Sequence, residues 1–316
     1  MSLPRVLCTV NVPREHLAPL DEIADLIISD HTPAAMPRAE VLEKIGDCTA
    51  VISQGELRVD SELLAAAPKL EFVANAAMGY DNLDLAALTA REIKATNTPA
   101  AFVESTADLT LGLLLNVTRR ISESDRFIRT GEWAETGMQA LRWESGLAAS
   151  KIVGIIGYGK IAKAVEKRAT AFGMTVLHTR TQPDGHVNYR DFDTLLAESD
   201  IVIALVPHSP STDRLMNAER FAKMKPGAFF INVARGKVMD EAALVEALTS
   251  GHLGGTGLDV FEEEPVVNSA LFTMENVIMT PHVGGATLEE RANGRLEAAE
   301  NVARFLRGEE LISPLN

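Results

Sequence analysis

The segment Lys151–Thr181, KIVGIIGYGKIAKAVEKRATAFGMTVLHTRT, constrains the fold more than any other stretch of the chain. It reads as a buried strand (Ile152–Ile156), a glycine-punctuated turn, an amphipathic helix and a second strand (Thr175–Thr179). Gly157 permits a tight turn off the strand. Gly159 lets backbone approach a pyrophosphate, which then sits on the amides opening the helix at Lys160 and Ile161. Ala162 stands where the fingerprint has its third glycine, a change the fingerprint tolerates. The helical spacing of Ile161, Ala164, Val165 and Arg168 supplies the context that a lone glycine motif lacks. A buried βαβ unit without a ligand is the competing reading. At the end of the second strand, where an NAD site carries an acidic residue for the ribose, this chain has Arg180. A cation there suits a 2′-phosphate, so the stretch points to NADP(H), with NAD(H) as the alternative.

A chain of 316 residues suits two domains, or one large α/β domain with an appendage. The apolar fraction of 46% and charged fraction of 23% are those of a soluble globular enzyme. A net charge of -14 argues against nucleic acid as a partner, and Arg119 and Arg120 are offset by Glu123 and Asp125. The two cysteines, Cys8 and Cys48, form no CxxC and read as small core residues. The histidines show no HExxH or similar spacing, so no metal site is expected. The start MSLPRVLCTV lacks a signal-peptide h-region, and apolar runs such as Leu111–Leu115 are too short to span a bilayer. No membrane partner and a cytoplasmic location are the expectations.

Strand and helix patterns alternate over the first hundred residues. Val6–Val12, Leu26–Ser29, Ala50–Ser53, Phe72–Ala74 and Lys94–Thr96 read as strands; Pro37–Ile45, Asp60–Ala67 and Leu83–Arg91 read as helices. One long helical pattern, Ala100–Gly131, then reads as a connector between lobes. The following arm holds the only tryptophans, Trp133 and Trp143, whose large amphipathic rings suit a subunit interface; a cover within the chain is the alternative. From Lys151 the alternation resumes. Strands are expected at Asp200–Val206, Ala228–Val233, Gly254–Val260 and Asn276–Thr280, with helices at Leu195–Ser199, Ala218–Lys223, Glu241–Ser250 and Leu288–Arg307. Two successive α/β units imply two lobes and a cleft.

Three motifs stand just past late strands, where open α/β sheets hold their ligands: Asn232-Val-Ala-Arg235-Gly236, Asp259–Pro265 and Pro281-His282-Val-Gly-Gly285. Arg235 offers a planar fork to a carboxylate and can polarise a carbonyl. Glu264 can orient and charge an imidazole, and His282 can give or take a proton near neutral pH. Each has a plainer reading: a surface ion pair for Arg235, a solvated acidic run for Glu264, a turn residue for His282. Their joint placement downstream of a dinucleotide fingerprint favours the chemistry of a 2-keto acid reduction. Such a reaction anchors a carboxylate and delivers a proton to a carbonyl oxygen as hydride reaches its carbon. Ser53, with Gln54 and Gly55, follows an early strand and is expected to face the cleft.

In order along the chain, Met78-Gly-Tyr-Asp-Asn82, Asn97-Thr-Pro99, Glu104–Leu109, the glycine turn, Asn232–Gly236, Asp259–Pro265 and Pro281–Thr287 resemble the D-isomer-specific 2-hydroxyacid dehydrogenases over nearly the whole length. The resemblance implies that Arg235, Glu264 and His282 are the catalytic set. It also implies that amides near Met78 and Gly79 hold the substrate carboxylate and that Asp259 reads the nicotinamide carboxamide. Val206, Pro207, Val233 and Ala234 match positions lining the dinucleotide, and His282, Gly284 and Gly285 belong beside it. The fold implied is α/β, two Rossmann-like lobes with doubly wound parallel sheets, in a homodimer. Residues 1–98 with 287–316 form the substrate-binding lobe, and 99–286 bind the dinucleotide. Arg180 matches the NADP-preferring branch that resembles glyoxylate/hydroxypyruvate reductases, and Thr181 can add a hydroxyl to the same phosphate. Met78 stands where the family often has a smaller residue, and a narrower substrate pocket is the expectation. An NAD-linked enzyme for another D-2-hydroxy acid is the nearest alternative. A dinucleotide-sensing binding protein and a formate or phosphite dehydrogenase are further ones.

Overall fold

Strands that are apolar on both faces and separated by helices can pair only in parallel, with helices covering both sides. The computed structural model, which describes residues 2–316, has two such sheets. In chain order the first carries β1 (Arg5–Cys8), β2 (Asp25–Ile28), β3 (Ala50–Ser53), β4 (Phe72–Asn75) and β5 (Lys94–Thr96). Its helices are α1 (Arg38–Lys44), α2 (Ser61–Ala66) and α3 (Leu85–Ala90). All pairs are parallel, in the order β2-β1-β3-β4-β5. Asp60 and Asp84 start α2 and α3 by accepting from the amides of Leu63 and Ala87.

The second sheet is preceded by α4 (Val103–Arg119), α5 (Ile121–Arg129) and α6 (Glu132–Thr136). It runs through β6 (Ile152–Ile156), α7 (Lys160–Ala171), β7 (Thr175–Thr179), α8 (Phe192–Glu198), β8 (Ile201–Ala204) and α9 (Ala218–Lys223). Then follow β9 (Ala228–Asn232), α10 (Glu241–Thr249), β10 (Leu253–Leu258) and β11 (Val277–Met279). The order is β11-β10-β9-β8-β6-β7, again all parallel. The final helix, α11 (Leu288–Arg307), is capped by Thr287 and returns to the first sheet. Two compact units result: Met1–Phe102 with Gly285–Asn316, and Val103–Gly284.

Core formation is ordinary in both. In the first unit Val6, Ile52, Phe72 and Ala74 meet Ala298, Ala299 and Val302 of α11 on one face, while Leu7, Val51 and Val73 meet Leu63 and Leu88 on the other. In the second, Leu111, Leu113, Val117, Val165 and Ile203 share one cluster. Cys8 and Cys48 are buried, and burial pushes the Cys8 thiol up to about 11.

Several elements differ from expectation. Strand β1 ends at Cys8 rather than Val12, because the chain leaves the sheet for the helical turn after Pro13; Val12 is buried without being in a strand. The expected helix Ala100–Gly131 is broken at Arg120, which adopts a left-handed conformation with φ 55°. The side chain of Asn116 replaces the lost ladder there, accepting from Ser122 N at 2.8 Å and donating to Ser122 Oγ at 2.7 Å. Nor is α4 a mere connector. It lies across β10, where Gly255 and Gly257 leave room for Val117 and Leu113; a Cβ on either glycine would stand 2.8 or 3.0 Å from those side chains. Trp143 packs within its own chain, 5.2 Å edge-on from the Phe127 ring, with Arg120 and Arg142 over its own ring, while Trp133 is exposed. Among the described residues no helix is long and apolar enough to cross a membrane.

Candidate active site

The strand order explains why distant sequence motifs meet. β9, β10 and β11 are neighbours, so the loops leaving their carboxyl ends converge, and these loops carry Arg235, Glu264 and His282. Gly236 locks the first loop against the second. A Cβ there would overlap the Phe261 carbonyl, 1.8 Å from its oxygen, so only glycine permits the crossing. Asn232 shapes the Arg235 loop from beneath, accepting from Ala234 N at 3.0 Å and donating to Arg235 O at 3.1 Å. Val233 and Ala234 are buried in it.

His282 has φ 53°, a left-handed conformation that is uncommon for a residue with a side chain. Asp259 holds it there. The buried carboxylate of Asp259 accepts from Thr280 Oγ1 at 2.6 Å, Val283 N at 2.8 Å and Gly284 N at 2.8 Å, and its carbonyl takes His282 N at 2.9 Å. The carboxylate so engaged keeps little capacity for a further donor. The His282 ring extends outward, with Nδ1 2.8 Å from Glu264 Oε2. Because the carboxylate only accepts, Nδ1 carries the proton, and Nε2 has no partner among the described residues. Glu264 Oε1 accepts from Phe261 N at 3.0 Å. Half-burial works to raise its pKa. The bond and charge of His282, the Phe261 amide and the Arg235 charge outweigh that, so the carboxyl lies below its ordinary value. The Arg235 charge is thus felt at the Glu264–His282 pair.

At the other end of the same sheet, β6 has β8 on one side and β7 on the other, which makes β6/β8 the switch point where such sheets take a ligand. Gly157 has φ 92°, and a Cβ there would lie 2.7 Å from Val206 Cγ1 and 2.8 Å from Leu205 O, so the turn after β6 rests on the start of the loop after β8. Pro207, next in that loop, is exposed. Gly159 is the opposite case, since a Cβ there meets nothing within 4 Å. It opens α7 with no side-chain cap, leaving the first amides, at Lys160 and Ile161, directed out of the helix. Open space beside a helix start at a switch point fits a dinucleotide pyrophosphate.

Arg180 and Thr181 follow β7 and are exposed, and Arg180 Nη1 lies 3.9 Å from Asp184 Oδ2. Sequence reasoning passed over Asp184, although Gln182-Pro-Asp-Gly185 carries a turn signal. Its carboxylate also takes His186 N at 3.0 Å and meets His178 Nε2 at 2.9 Å. The His186 amide, then His178 and Arg180, hold Asp184 below the usual carboxylate range against the opposing effect of desolvation. His178 is fully buried and stacks at 3.7 Å on Tyr158 of the glycine turn. One stack therefore links that turn to the loop carrying Arg180.

In the first unit, Met78 and Gly79 lie in the loop after β4. Asn97 Nδ2 donates to Met78 O at 2.8 Å and Asn75 Nδ2 to Gly79 O at 2.8 Å, which fixes the loop through its carbonyls. One expectation needs correction. Ser53 is fully buried with its hydroxyl 3.4 Å from Asn75 Oδ1, so it supports the loop system and does not face a ligand. Gly285 belongs to the first unit, and the Phe102 ring packs on its Cα, where a Cβ would meet it at 2.7 Å. One trio with metal-ligand atoms in reach, Asp30, His31 and Glu40, is engaged in ion pairing, with Lys44 2.6 Å from Glu40.

Comparisons with known proteins find relatives over nearly the whole chain. Residues 111–284 match the model of the D-isomer specific 2-hydroxyacid dehydrogenase NAD-binding domain. A glyoxylate reductase of Thermococcus litoralis is 40% identical over 314 residues, covering 97% of this chain and 95% of the relative. An NADPH-dependent glyoxylate/hydroxypyruvate reductase from Sinorhizobium meliloti, solved with NADP and malonate, superposes with a TM-score of 0.86 at 32% identity, covering 99% of this chain and 97% of the other. A D-lactate dehydrogenase from Aquifex aeolicus, solved with NAD and lactic acid, gives 0.84 at 26% identity over 98% of each chain.

Proposed function

The chain belongs to the D-isomer specific 2-hydroxyacid dehydrogenase family, and we propose that within it the protein is an NADPH-linked reductase of small 2-keto acids, glyoxylate and hydroxypyruvate foremost. The observation that carries the reading is the Glu264–His282 pair, with the His282 Nε2 clear of any partner among the described residues and the Arg235 charge beside it. When bound, the dinucleotide supplies the hydride. Protonated His282 gives its Nε2 proton to the carbonyl oxygen as negative charge develops there, and takes it back in the oxidative direction. Glu264 keeps the ring in one orientation, and its charge stabilises the imidazolium. Arg235 polarises the carbonyl and pairs with the substrate carboxylate, a role the resemblance shares out with the amides of Met78 and Gly79.

Gly157, Gly159, Lys160 and Ile161 hold the pyrophosphate in this reading, with Val206, Pro207, Val233, Ala234 and Gly284 along the dinucleotide. Arg180 and Thr181 take the 2′-phosphate, the basis for NADP(H) over NAD(H). The test is His282→Ala. It is expected to lower kcat for glyoxylate reduction by about 100-fold or more, the scale of a lost general acid, with the Kd for NADPH measured by fluorescence unchanged. Reduction at the normal rate would remove His282 from the chemistry. A homodimer is also proposed, built on the arm where Trp133, Met138, Leu141 and Leu147 are exposed. Light scattering should then give twice the 34.1 kDa chain mass, and a Leu141→Asp variant should shift toward the monomer.

A further inference from the structure

The first sheet has a switch point of its own, between β1 and β3, because the chain passes from β1 outward to β2 and then across to β3. Thr9 follows β1 and Gln54 follows β3, at the carboxyl edge where a parallel sheet receives ligands. Two arginines of α11, Arg291 and Arg295, belong to the same place. Arg295 donates Nε to Gln54 Oε1 and reaches His16 Nδ1 from Nη1 at 3.4 Å, so neither of these partners is a carboxylate. Arg291 donates to no acceptor among the described residues; its guanidinium lies 5.8 Å from the centre of the Phe102 ring. Both are half-buried, and neither forms an ion pair with a carboxylate of the described residues.

This arrangement is electrostatically uncompensated. Like charges one turn apart on a helix repel. Arg291 stands in the first turn of α11, where the helix dipole favours anions over cations. Burial pulls both arginines below their usual pKa, and for Arg295 the Arg291 charge adds to it. Glu56 is the one acid whose charge registers at Arg291, and its carboxylate is already engaged by the Thr9 hydroxyl and by Gln54 N at 2.7 Å. A bound anion offsets every one of these costs at once.

We propose that Arg291 and Arg295, with His16 and Gln54, form an anion site that receives the distal carboxylate of a 2-keto dicarboxylic acid. The choice of ligand rests on the keto acid reductase reading; the site itself does not. The Gln54–Glu56 loop packs on the loop of Met78 and Gly79, since a Cβ at Gly55 would stand 3.3 Å from that of Ala77. The arginine pair and the amides assigned to the first carboxylate therefore share one rim of this sheet.

Two measurements test it. Calorimetric titration with succinate should show binding to the wild-type protein, weakened about 10–100-fold in Arg291→Met and in Arg295→Met, the value of a charged hydrogen bond. Arg295→Lys, which keeps the charge and loses the fork, should fall between. In kinetics, the kcat/KM ratio of 2-ketoglutarate to its chain-matched analogue 2-ketovalerate should fall by a similar factor in both Met variants. Because the ratio is internal to each protein, a partly unfolded preparation does not mimic the effect. Succinate binding that is absent from the wild type, or equal in all four proteins with an unchanged ratio, overturns the proposal. Succinate binding that disappears in the variants of a protein reducing neither keto acid upholds the anion site and removes the reductase reading instead.

Discussion

Replacing Arg180 with aspartate should move the cofactor preference from NADPH to NADH. Arg180 is exposed, so its interactions are those of a charge in water. A unit pair about 5 Å apart is then worth about 0.8 kcal/mol. The 2′-phosphate carries a charge of about −1.5 to −2, and reversing the side chain changes its own charge by two, so the unscreened effect is about 3 kcal/mol. Physiological salt, with a screening length of about 8 Å, cuts this to roughly half. Losing a charge-assisted hydrogen bond to the phosphate adds about 1.5 kcal/mol. The sum of about 3 kcal/mol corresponds to a loss of about 100-fold in kcat/KM for NADPH. NADH should gain modestly, because aspartate can accept from the ribose 2′-hydroxyl. Asp184, 3.9 Å from Arg180, already offsets part of the cationic field. Asp184→Asn should therefore strengthen NADPH binding a few-fold, and raising the salt should weaken NADPH more than NADH in the wild type. The assay is initial-rate kinetics with glyoxylate and each cofactor. An NADPH/NADH efficiency ratio unchanged in Arg180→Asp would refute the reasoning.

Two further outcomes follow from the geometry. Gly236→Ala forces a methyl onto the Phe261 carbonyl and should cost about 3 kcal/mol or more of stability, whereas Gly159→Ala, which meets nothing, should leave stability within about 0.5 kcal/mol and still raise the KM for the dinucleotide. Urea denaturation beside cofactor kinetics separates the two. Glu264 is held below its ordinary value in the folded protein, so its contribution to stability is full above the unfolded pKa near about 4.3 and is lost as pH falls through the lower folded value. The melting temperature of the wild type should accordingly drop toward that of Glu264→Gln in that acid window; a gap that stays constant with pH counts against it.

How much of this was legible in the sequence depended on whether the signal was local. The glycine turn, its helix and the strands around it were readable because Gly157, Gly159 and the apolar periodicity lie within one segment. The loop-end residues Arg235, Glu264 and His282 were readable as chemistry but not as neighbours, since their convergence depends on the order of β9, β10 and β11. The break at Arg120 was hidden because nothing in the apolar spacing of 103–129 requires a left-handed residue; Asn116 and Ser122 compensate it through side chains. Ser53 was misread for a related reason. Its place at the carboxyl end of the strand is as expected, but its side chain is covered there, beside its pairing partner Asn75 of β4, and which face of a strand end is covered depends on neighbouring elements. Asp184 was missed because its partner His178 lies inside a strand and looks like a core residue.

The residues that hold the loops account for the site as much as those that would touch a substrate. A histidine at φ 53° costs about 1 kcal/mol or more unless its surroundings fix it. Asp259 supplies that fixation with three donors on its carboxylate and the His282 amide on its carbonyl. The left-handed turn presents the imidazole outward, where Glu264 can reach Nδ1 and leave Nε2 clear. A general acid works only when its proton is aimed at the position where charge will develop, and a ring on a free turn would lose that aim to rotation. The buried acid of the Asp259–Pro265 motif is thus a source of the histidine's orientation. Asn232 does the same for Arg235, and Asn75 with Asn97 for the Met78–Gly79 loop. Short buried polar side chains under loops at strand ends are the common device, and they convert a fold shared by many proteins into one that points particular groups outward.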